Sequence, residues 1–562
     1  MTPSSATRNS ATARILRHAS RAPDREAIIF LDRGETVSTR LTYESLVSQV
    51  GGMARRLAAE GFSGKAIVIA LPAGIAFVRL FLACLWARVI VIPAPYPSNA
   101  RLLNRLHALV ADSRPVALVT DANGVAKIPS LPQTGAPLRI LDISSLADEN
   151  LSPLEPLAGA GDAPAIIQYT SGSTSEPRGA VITHDNLFAN QCMIQSAFGH
   201  DERCVGANWL PHFHDMGLLG VILQPLFVGG STVLMDPLAF IQKPIRWLRA
   251  IDRFHATTAG GPCFAYDLCA RHCAPEDIEK LDLSSWRVAF CGAEPIRRAT
   301  LDAFAATCAS ASFDPRALTP CYGLAEATLI VSSANPGNGA RELPASGLGS
   351  KGTTTLAVGC GYPAPECKIL VRAADGAPLP DGEAGEIWVA GPHVSPGVWN
   401  GEEGGVNPFN DSFVDEAGDR YIATGDLGAL VNGELVPLDR LKDIIIVYGQ
   451  KLHSADIEAT LLSHRLSAEL LAACAFSIET AKGDQLVVVC EMDRKRFREG
   501  AALELAAQLK KIIAESFGVL PQLAIVPYGA LPRTTSGKIQ RSVSKSEWLA
   551  GRIAEASRLT NA

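Results

Sequence analysis

Continuous apolar runs alternate with segments of helical period through the first third of the chain. Residues 66–71 (AIVIAL), 89–95 (VIVIPAP), 116–120 (VALVT) and 165–170 (AIIQYT) are short apolar runs, which predicts strands buried on both faces. Between them, 41–61 (LTYESLVSQVGGMARRLAAEG) and 73–87 (AGIAFVRLFLACLWA) carry the spacing of helices. Strands alternating with helices imply α/β layers, and 230–235 (GSTVLM) and 287–295 (RVAFCGAEP) continue the rhythm. The most hydrophobic stretch, 73–95, is interrupted by Arg79, Arg88 and Pro93. It therefore predicts a buried helix followed by a strand and not a membrane span.

A glycine- and proline-rich zone, 334–365, breaks the rhythm, and hairpin-like strands follow at 385–391 (GEIWVAG) and 433–439 (GELVPLD). From about residue 442 the pattern changes again: IIIVYG, a helix SADIEATLLSH, strands AACAFSI and DQLVVVCE, and a helix ALELAAQLKKIIAES. This predicts a small α+β domain of roughly 120 residues. No repeats occur, and no long structureless segment is expected beyond the termini.

At 562 residues the chain exceeds one simple core, and a prior of roughly 150 residues per domain gives two to four units. A composition of 47% hydrophobic and 19% charged residues is that of a globular enzyme. The net charge of −6 argues against a nucleic-acid partner. The 13 cysteines are scattered in apolar runs without metal-ligand spacing, which predicts free buried thiols in a reducing compartment. The N-terminal stretch MTPSSATRNSATARILRHAS has no apolar run of signal-peptide length, so a cytoplasmic protein without integral membrane association is expected.

Candidate chemistry begins at 168–179, QYTSGSTSEPRG, between a strand and a helix that Thr183 or Asp185 could cap. Thr170, Ser171, Gly172, Ser173 and Thr174 supply hydroxyls and N–H groups suited to a polyphosphate, and Arg178 adds charge. The string is not a GxxxxGK[ST] loop. Taken alone it is equally a serine- and threonine-rich surface loop.

The whole string resembles the signature loop of the adenylate-forming superfamily, especially its fatty acyl-AMP ligases, with Ser175 where a glycine is usual. Further blocks follow in that superfamily's order. NWLPHFHDMG (208–217) resembles the block at the acyl-pocket mouth, which implies His214 beside the reacting carboxylate and Asp215, Met216 and Gly217 in the pocket wall. GPCFAYDL (261–268), beginning at Gly261, resembles the helix start lining the acyl tunnel. GAEP resembles the adenine-binding turn, implying that Gly292, Ala293 and Glu294 approach the base. YGLAEAT (322–328) implies Tyr322 stacked on adenine, Gly323 beside it and Glu326 as ligand of Mg²⁺, a cation that prefers carboxylate oxygen. TGD (424–426) implies Asp426 at the ribose hydroxyls, Arg440 at ribose or phosphate, and Lys442 at a hinge. LPRTTSGKIQR (531–541) resembles the last block, which implies Lys538 as the catalytic cation at the α-phosphate.

The resemblance spans about residues 41–541 and carries its own expectations. The fold is α/β: a large N-terminal domain of stacked sheets and helices with a β-barrel-like subdomain (1–437), a hinge (438–442) and a small mobile α+β domain (443–562). The activity is ATP- and Mg²⁺-dependent conversion of a fatty acid to an acyl-AMP, followed by transfer to the phosphopantetheine of an acyl carrier protein. Acyl-CoA ligase, amino-acid adenylating enzyme and catalytically silent relative are the alternatives. Retention of Glu326, Asp426 and Lys538 speaks against silence. HDMG is not the usual amino-acid pattern. The segment 329–361, about a dozen residues longer than in a typical adenylating domain, resembles the fatty acyl-AMP ligase insertion. Departures fall at Leu438-Asp439, where relatives have Thr-Gly, at 447–450 and at 358–360.

Overall fold

The computed structural model describes residues 10–128, 138–146, 154, 156, 161–169, 178–346, 354–402, 404–447, 450–463, 470–480, 483–498, 502–533 and 539–553. Among these residues two large sheets carry the main core. One has eight strands, and Ile90–Pro93, Ala66–Ile69, Ala117–Thr120 and the edge strand Arg139–Asp142 run parallel. The other has nine, with Leu318–Gly323, Val288–Cys291, Thr258–Gly261, Val205–Asn208, Ser231–Met235 and Glu26–Asp32 parallel at its centre. The helices Tyr43–Ala59 and Ile75–Ala87 lie in one apolar cluster with Ile67 and Val91 of the first sheet and Val233 and Ala289 of the second. They are thus sandwiched between layers, which explains why Ile75–Ala87 is apolar on nearly every face. Val68 and Ile92 point the other way, to Leu106 and Leu109 of the helix Ala100–Ser113. Burial on both faces accounts for the unbroken apolar runs.

The helix after the 168–179 string starts where the sequence predicts. Thr183 is its cap, accepting from the Asn186 N–H at 3.0 Å, while the Asn186 side chain accepts from the Thr183 N–H at 3.1 Å. Asp185, the other candidate, lies inside the first turn. One helix, Ala11–Arg21, was not expected. Its buried stripe consists of Ala11, Thr12, Ile15 and Ala19, too small and sparse to stand out as an apolar run.

A third, antiparallel layer joins Lys368–Arg372, Gly385–Ala390, Arg420–Val431, Ser412–Val414 and Glu434–Arg440. The glycine- and proline-rich zone is more regular than its composition suggests. It contributes the edge strand Tyr362–Pro363, paired with Ile330–Ser333, and the hairpin Glu342–Ser346 with Thr354–Val358. Leu343 and Ala357 of that hairpin pack on the cluster of Ala429, Val431 and Val436, as does Leu438. The Leu435 N–H and the Cys360 N–H donate reciprocally to Gly361 and Leu435 carbonyls, each at 2.7 Å. The longer segment is therefore fastened along the strand that leads into residues 438–442.

Beyond that strand, Leu470–Thr480, Gly483–Met492 and Gln522–Pro527 form a three-stranded sheet. Leu509 and Ile513 of helix Ala502–Phe517 pack on one face with Val488 and Ile525, and Trp548 of helix Arg541–Leu549 packs on the other with Phe476 and Val489. All 13 cysteines are free. Among the described residues no helix is long and apolar enough to cross a membrane.

Candidate functional site

Strand register builds the site. Gln168–Tyr169 and Gly179–Ala180 pair in antiparallel register, with Tyr169 opposite Gly179, which brings the two ends of the 170–178 connection together. A Cβ at Gly179 would stand 2.5 Å from Ile167 Cγ2, so a larger residue there would force the buried Ile167 side chain to shift. Thr170, Ser171, Gly172, Ser173 and Thr174 lie outside the described residues. Arg178 is described and exposed. The Gln168 amide donates to the Phe213 carbonyl at 3.1 Å and so ties the foot of this connection to the HFHDMG block.

That block turns sharply. The Leu218 N–H donates to the His214 carbonyl at 2.7 Å, and Met216–Leu223 winds as a wide helix closed by the Gln224 N–H on the Leu219 carbonyl. Such π-type turns concentrate at functional sites. Asp215 accepts from the Met216 N–H at 2.7 Å. Gly217 has no space for a side chain, because a Cβ would lie 2.2 Å from the Pro211 carbonyl oxygen. His212, beside the block, accepts the Gly74 N–H on Nδ1 at 3.2 Å, and burial pushes its ring down to about 4. It is a neutral packing histidine against the Phe77 ring edge. Gly261 abuts Trp209, with Cζ2 3.3 Å from where a Cβ would sit.

The GAEP turn is a close approach. At Gly292 a Cβ would be 2.6 Å from the Cys321 carbonyl, and Ala293 takes a left-handed φ of 70°. Glu294 has a local partner, accepting the Phe264 N–H at 2.8 Å at the start of helix Cys263–His272. Gly323 is equally constrained, with the Leu329 carbonyl 1.7 Å from a would-be Cβ. Thr328, given no task from sequence, holds φ 67° while its hydroxyl donates to the His393 carbonyl at 2.6 Å.

These turns bring charged groups together. The Tyr322 hydroxyl donates to Asp426 Oδ2 at 2.7 Å. Asp426 lies opposite Arg440 across two paired strands, with Arg440 Nε 3.0 Å from Oδ1. That contact is off the hydrogen-bond axis, and Oδ1 is a buried acceptor with no aligned donor. Burial, then the Asp426 charge, keeps the Tyr322 hydroxyl protonated well above its ordinary range. Burial also raises the Glu326 carboxyl, opposed by Arg440 and reinforced by Asp426 and Asp215. Asp426 holds Arg440 charged, whereas burial and then Arg440 lower Lys442. The structure thus brings together Tyr322, Glu326, Asp426, Arg440, Lys442 and Asp215. Lys538 lies outside the described residues.

The arrangement fits a nucleotide and a cation. The unsatisfied Asp426 Oδ1 suits a hydroxyl donor. A buried carboxylate beside two other acids, as at Glu326, gains from a divalent cation, although among the described residues no three His, Cys, Asp or Glu side chains form a metal cluster. Any such ion would therefore take most of its oxygens from phosphate.

Stacked α/β layers with Tyr322, Glu326, Asp426 and Arg440 gathered beside them are the arrangement of an AMP-binding enzyme. The chain belongs to the AMP-binding enzyme family, whose pattern matches residues 15–399. It is 34% identical to the medium-chain-fatty-acid–[acyl-carrier-protein] ligase TtuA of Teredinibacter turnerae, over 95% of this chain and 92% of that protein. It is 33% identical to the corresponding ligase JamA of Moorena producens, over 94% and 93% of the two chains. A solved structure from a study of fatty acyl-adenylate ligases of E. coli and L. pneumophila superposes with a TM-score of 0.84 at 27% identity, covering 98% of this chain and all of that one.

Proposed function

We propose that this enzyme activates a fatty acid with ATP, releases pyrophosphate, and passes the acyl group from acyl-AMP to the phosphopantetheine thiol of an acyl carrier protein. The convergence of Tyr322, Glu326, Asp426 and Arg440 on one site carries this reading, with the likeness to carrier-protein ligases over nearly the whole chain supporting the acceptor. Tyr322 presents its ring to adenine beside the Gly292–Glu294 turn. Asp426 takes the ribose hydroxyls on Oδ1, which lacks an aligned donor, with Arg440 balancing the charge. Thr170–Thr174 and Arg178 hold the phosphates. His214 and Asp215 border the carboxylate, and Met216, Gly217 and Gly261 shape the acyl entrance.

In the first step a carboxylate oxygen attacks the α-phosphorus, the bond to the bridging oxygen breaks, and pyrophosphate leaves with the electron pair. Lys538 steadies the charge that collects on the α-phosphate. Glu326 would hold Mg²⁺, which supplies charge neutralisation at the phosphates when bound. In the second step the thiol sulfur attacks the acyl carbon, its proton goes to solvent, and AMP departs with the anhydride oxygen. We divide the chain for these steps into a large domain (1–437), a hinge (438–442) centred on Lys442, and a small domain (443–562) that reorients between them.

Incubating the enzyme with ATP, Mg²⁺ and acids of graded length, then with a phosphopantetheinylated carrier or with coenzyme A, tests this directly. Acyl-carrier product seen by mass spectrometry in excess of acyl-CoA is expected. Acyl-CoA formation equal to or above carrier acylation overturns the choice of acceptor, and absence of pyrophosphate release with every acid overturns the activity.

A further inference from the structure

We propose that Arg101 is a positioning residue for acyl-AMP formation, holding in place the neck, Arg533 with Ile539 and Gln540, on either side of the segment 534–538 that contains Lys538. This inference rests on the reading above, in which Lys538 acts in the first half-reaction.

The neck is well defined on the side of the small domain. Arg533 and Ile539 face one another as an antiparallel bridge, and the Gln540 N–H donates to the Pro532 carbonyl at 2.8 Å. The approaching strand side is held by Glu491, a fully buried carboxylate of strand Gly483–Met492. It accepts the Gly529 N–H at 3.0 Å, the Leu531 N–H at 2.8 Å and the Arg533 guanidinium. The departing side begins helix Arg541–Leu549, where Arg541 donates to Asp443 at 2.6 Å and to Glu458 at 2.9 and 3.0 Å. Residues 534–538, between the two sides, include Lys538.

Arg101 reaches this neck from a different part of the molecule. It stands in the first turn of helix Ala100–Ser113, capped by Asn99, which accepts the Leu102 N–H at 3.0 Å. One guanidinium nitrogen of Arg101 donates both to the Arg533 carbonyl and to the Gln540 side-chain oxygen, each at 2.7 Å. These partners lie 432 and 439 positions further along the chain, one on each side of the neck. The base of the same helix is anchored to the large domain, where the Trp399 indole donates to the Ser113 carbonyl at 3.0 Å. Arg101 thus links a fixed helix of the large domain to both sides of the neck at once. It is exposed and remote from the core, so the fold does not depend on it. What it supplies is orientation: two bonds tie both sides of the neck to the large domain.

A contact of this kind matters in one half-reaction and not in the other, because the small domain is placed differently when the thiol attacks. Displacing a catalytic group by about 1 Å can cost on the order of 100-fold. The Arg101→Ala variant is therefore expected to form acyl-AMP about 10- to 100-fold more slowly. Its KM for ATP and its melting temperature should stay at parent values, and transfer from preformed acyl-AMP to carrier should be undiminished. Arg101→Lys should recover part of the loss, and Gln540→Met, which removes one of the two acceptors, should lose less than Arg101→Ala.

The test is single-turnover pyrophosphate release alongside transfer from supplied acyl-AMP, for these variants and for Lys538→Ala. Acyl-AMP formation by Arg101→Ala at the parent rate overturns the inference while a crippled Lys538→Ala leaves the underlying reading standing. An equal fall in both half-reactions, or a lowered melting temperature in Arg101→Ala, also overturns it. Full activity of Lys538→Ala overturns the reading itself and the inference with it.

Discussion

The phenol of Tyr322 donates to Asp426 at 2.7 Å across 104 positions of sequence, joining the strand Leu318–Gly323 of the nine-stranded sheet to the antiparallel layer beside it. This bond and the ring of Tyr322 serve separate purposes, and substitutions can separate them. Phe at 322 keeps the ring face but strips a buried carboxylate of its donor, a loss of about 1–3 kcal/mol in stability. Ala removes the face, and base stacking on an aromatic is worth about 1–3 kcal/mol, or about 5- to 150-fold in KM for ATP. Tyr322→Phe should therefore melt lower with little change in KM, and Tyr322→Ala should raise KM. Steady-state kinetics over ATP concentration decides it: a Phe variant as impaired as the Ala variant rules out the stacking role.

Glu326 offers a second separation, between stability and cation use. Its carboxyl is raised by burial, with Asp426 and Asp215 adding and Arg440 opposing. A raised carboxyl contributes stability below its unfolded value and loses it as pH rises through the folded value. At neutral pH the ionised form therefore burdens the ligand-free protein, and Glu326→Gln should melt at the same temperature or higher. The same variant should need more Mg²⁺ for acyl-AMP formation and should lose the acid-side fall in rate that protonation of Glu326 imposes. A Mg²⁺ titration like the parent's removes Glu326 from the metal site.

Much of this was readable in the chain because the informative signals are local. Unbroken apolar runs announced strands covered on both faces, and Thr183 or Asp185 announced a helix start, of which Thr183 is the cap. The motif blocks singled out Tyr322, Glu326, Asp426 and Arg440, which the structure brings near one another. Their mutual placement was not readable, since Asp426 meets Arg440 only through a strand pairing whose register shifts between Leu427 and Gly428. Nor was the hairpin 342–358, whose glycine and proline content hid two strands that gain their order from packing on Val431 and Val436. The carboxylate of Glu294 on the Phe264 N–H and the reach of Arg101 to Gln540 likewise involve partners that no spacing rule connects.

Gly217 gives a purely steric prediction. Its Cβ would meet the Pro211 carbonyl oxygen at 2.2 Å, and backbone cannot yield as a side chain can. At Gly220, in the same wide helix, a Cβ would meet Leu329 Cδ2 at 3.2 Å, the end of a flexible side chain. Overpacking costs about 1–3 kcal/mol or more when nothing can move. Gly217→Ala should lose both thermal stability and acyl-AMP formation, while Gly220→Ala should lose little of either. Equal melting temperatures for the two variants would contradict the geometry.

The last prediction concerns Asp439, one of the two residues standing where relatives have Thr-Gly. Its buried carboxylate accepts the Arg440 N–H at 2.8 Å and the Ser454 hydroxyl at 3.2 Å, with His453 Nδ1 3.6 Å away. Ser454 and His453 lie beyond the hinge segment, so this group of residues binds the end of one strand to the start of helix Ser454–Ser463. Burial pushes the Asp439 carboxyl up, but the His453 ring, the Arg440 N–H and the Arg541 charge together hold it below the ordinary range. Asp456 also faces the group, its own carboxyl raised by burial and by Asp439, against His453. A depressed carboxyl contributes stability above its unfolded value, about 3.9, and loses it as pH falls through the folded value. Asp439→Asn keeps the shape and the hydroxyl bond but not the charge. Hydrogen bonds to a charged group are worth about 1.5–3 kcal/mol, so the variant should be less stable than the parent by up to that amount at pH 7. The gap should be full at neutral pH and narrow as pH is brought below about 4. Urea midpoints of the two proteins measured from pH 7 downward check it, with His453→Gln run alongside to isolate the ring. A gap that stays constant through the acid range shows that the Asp439 charge contributes nothing to holding the strand and helix together.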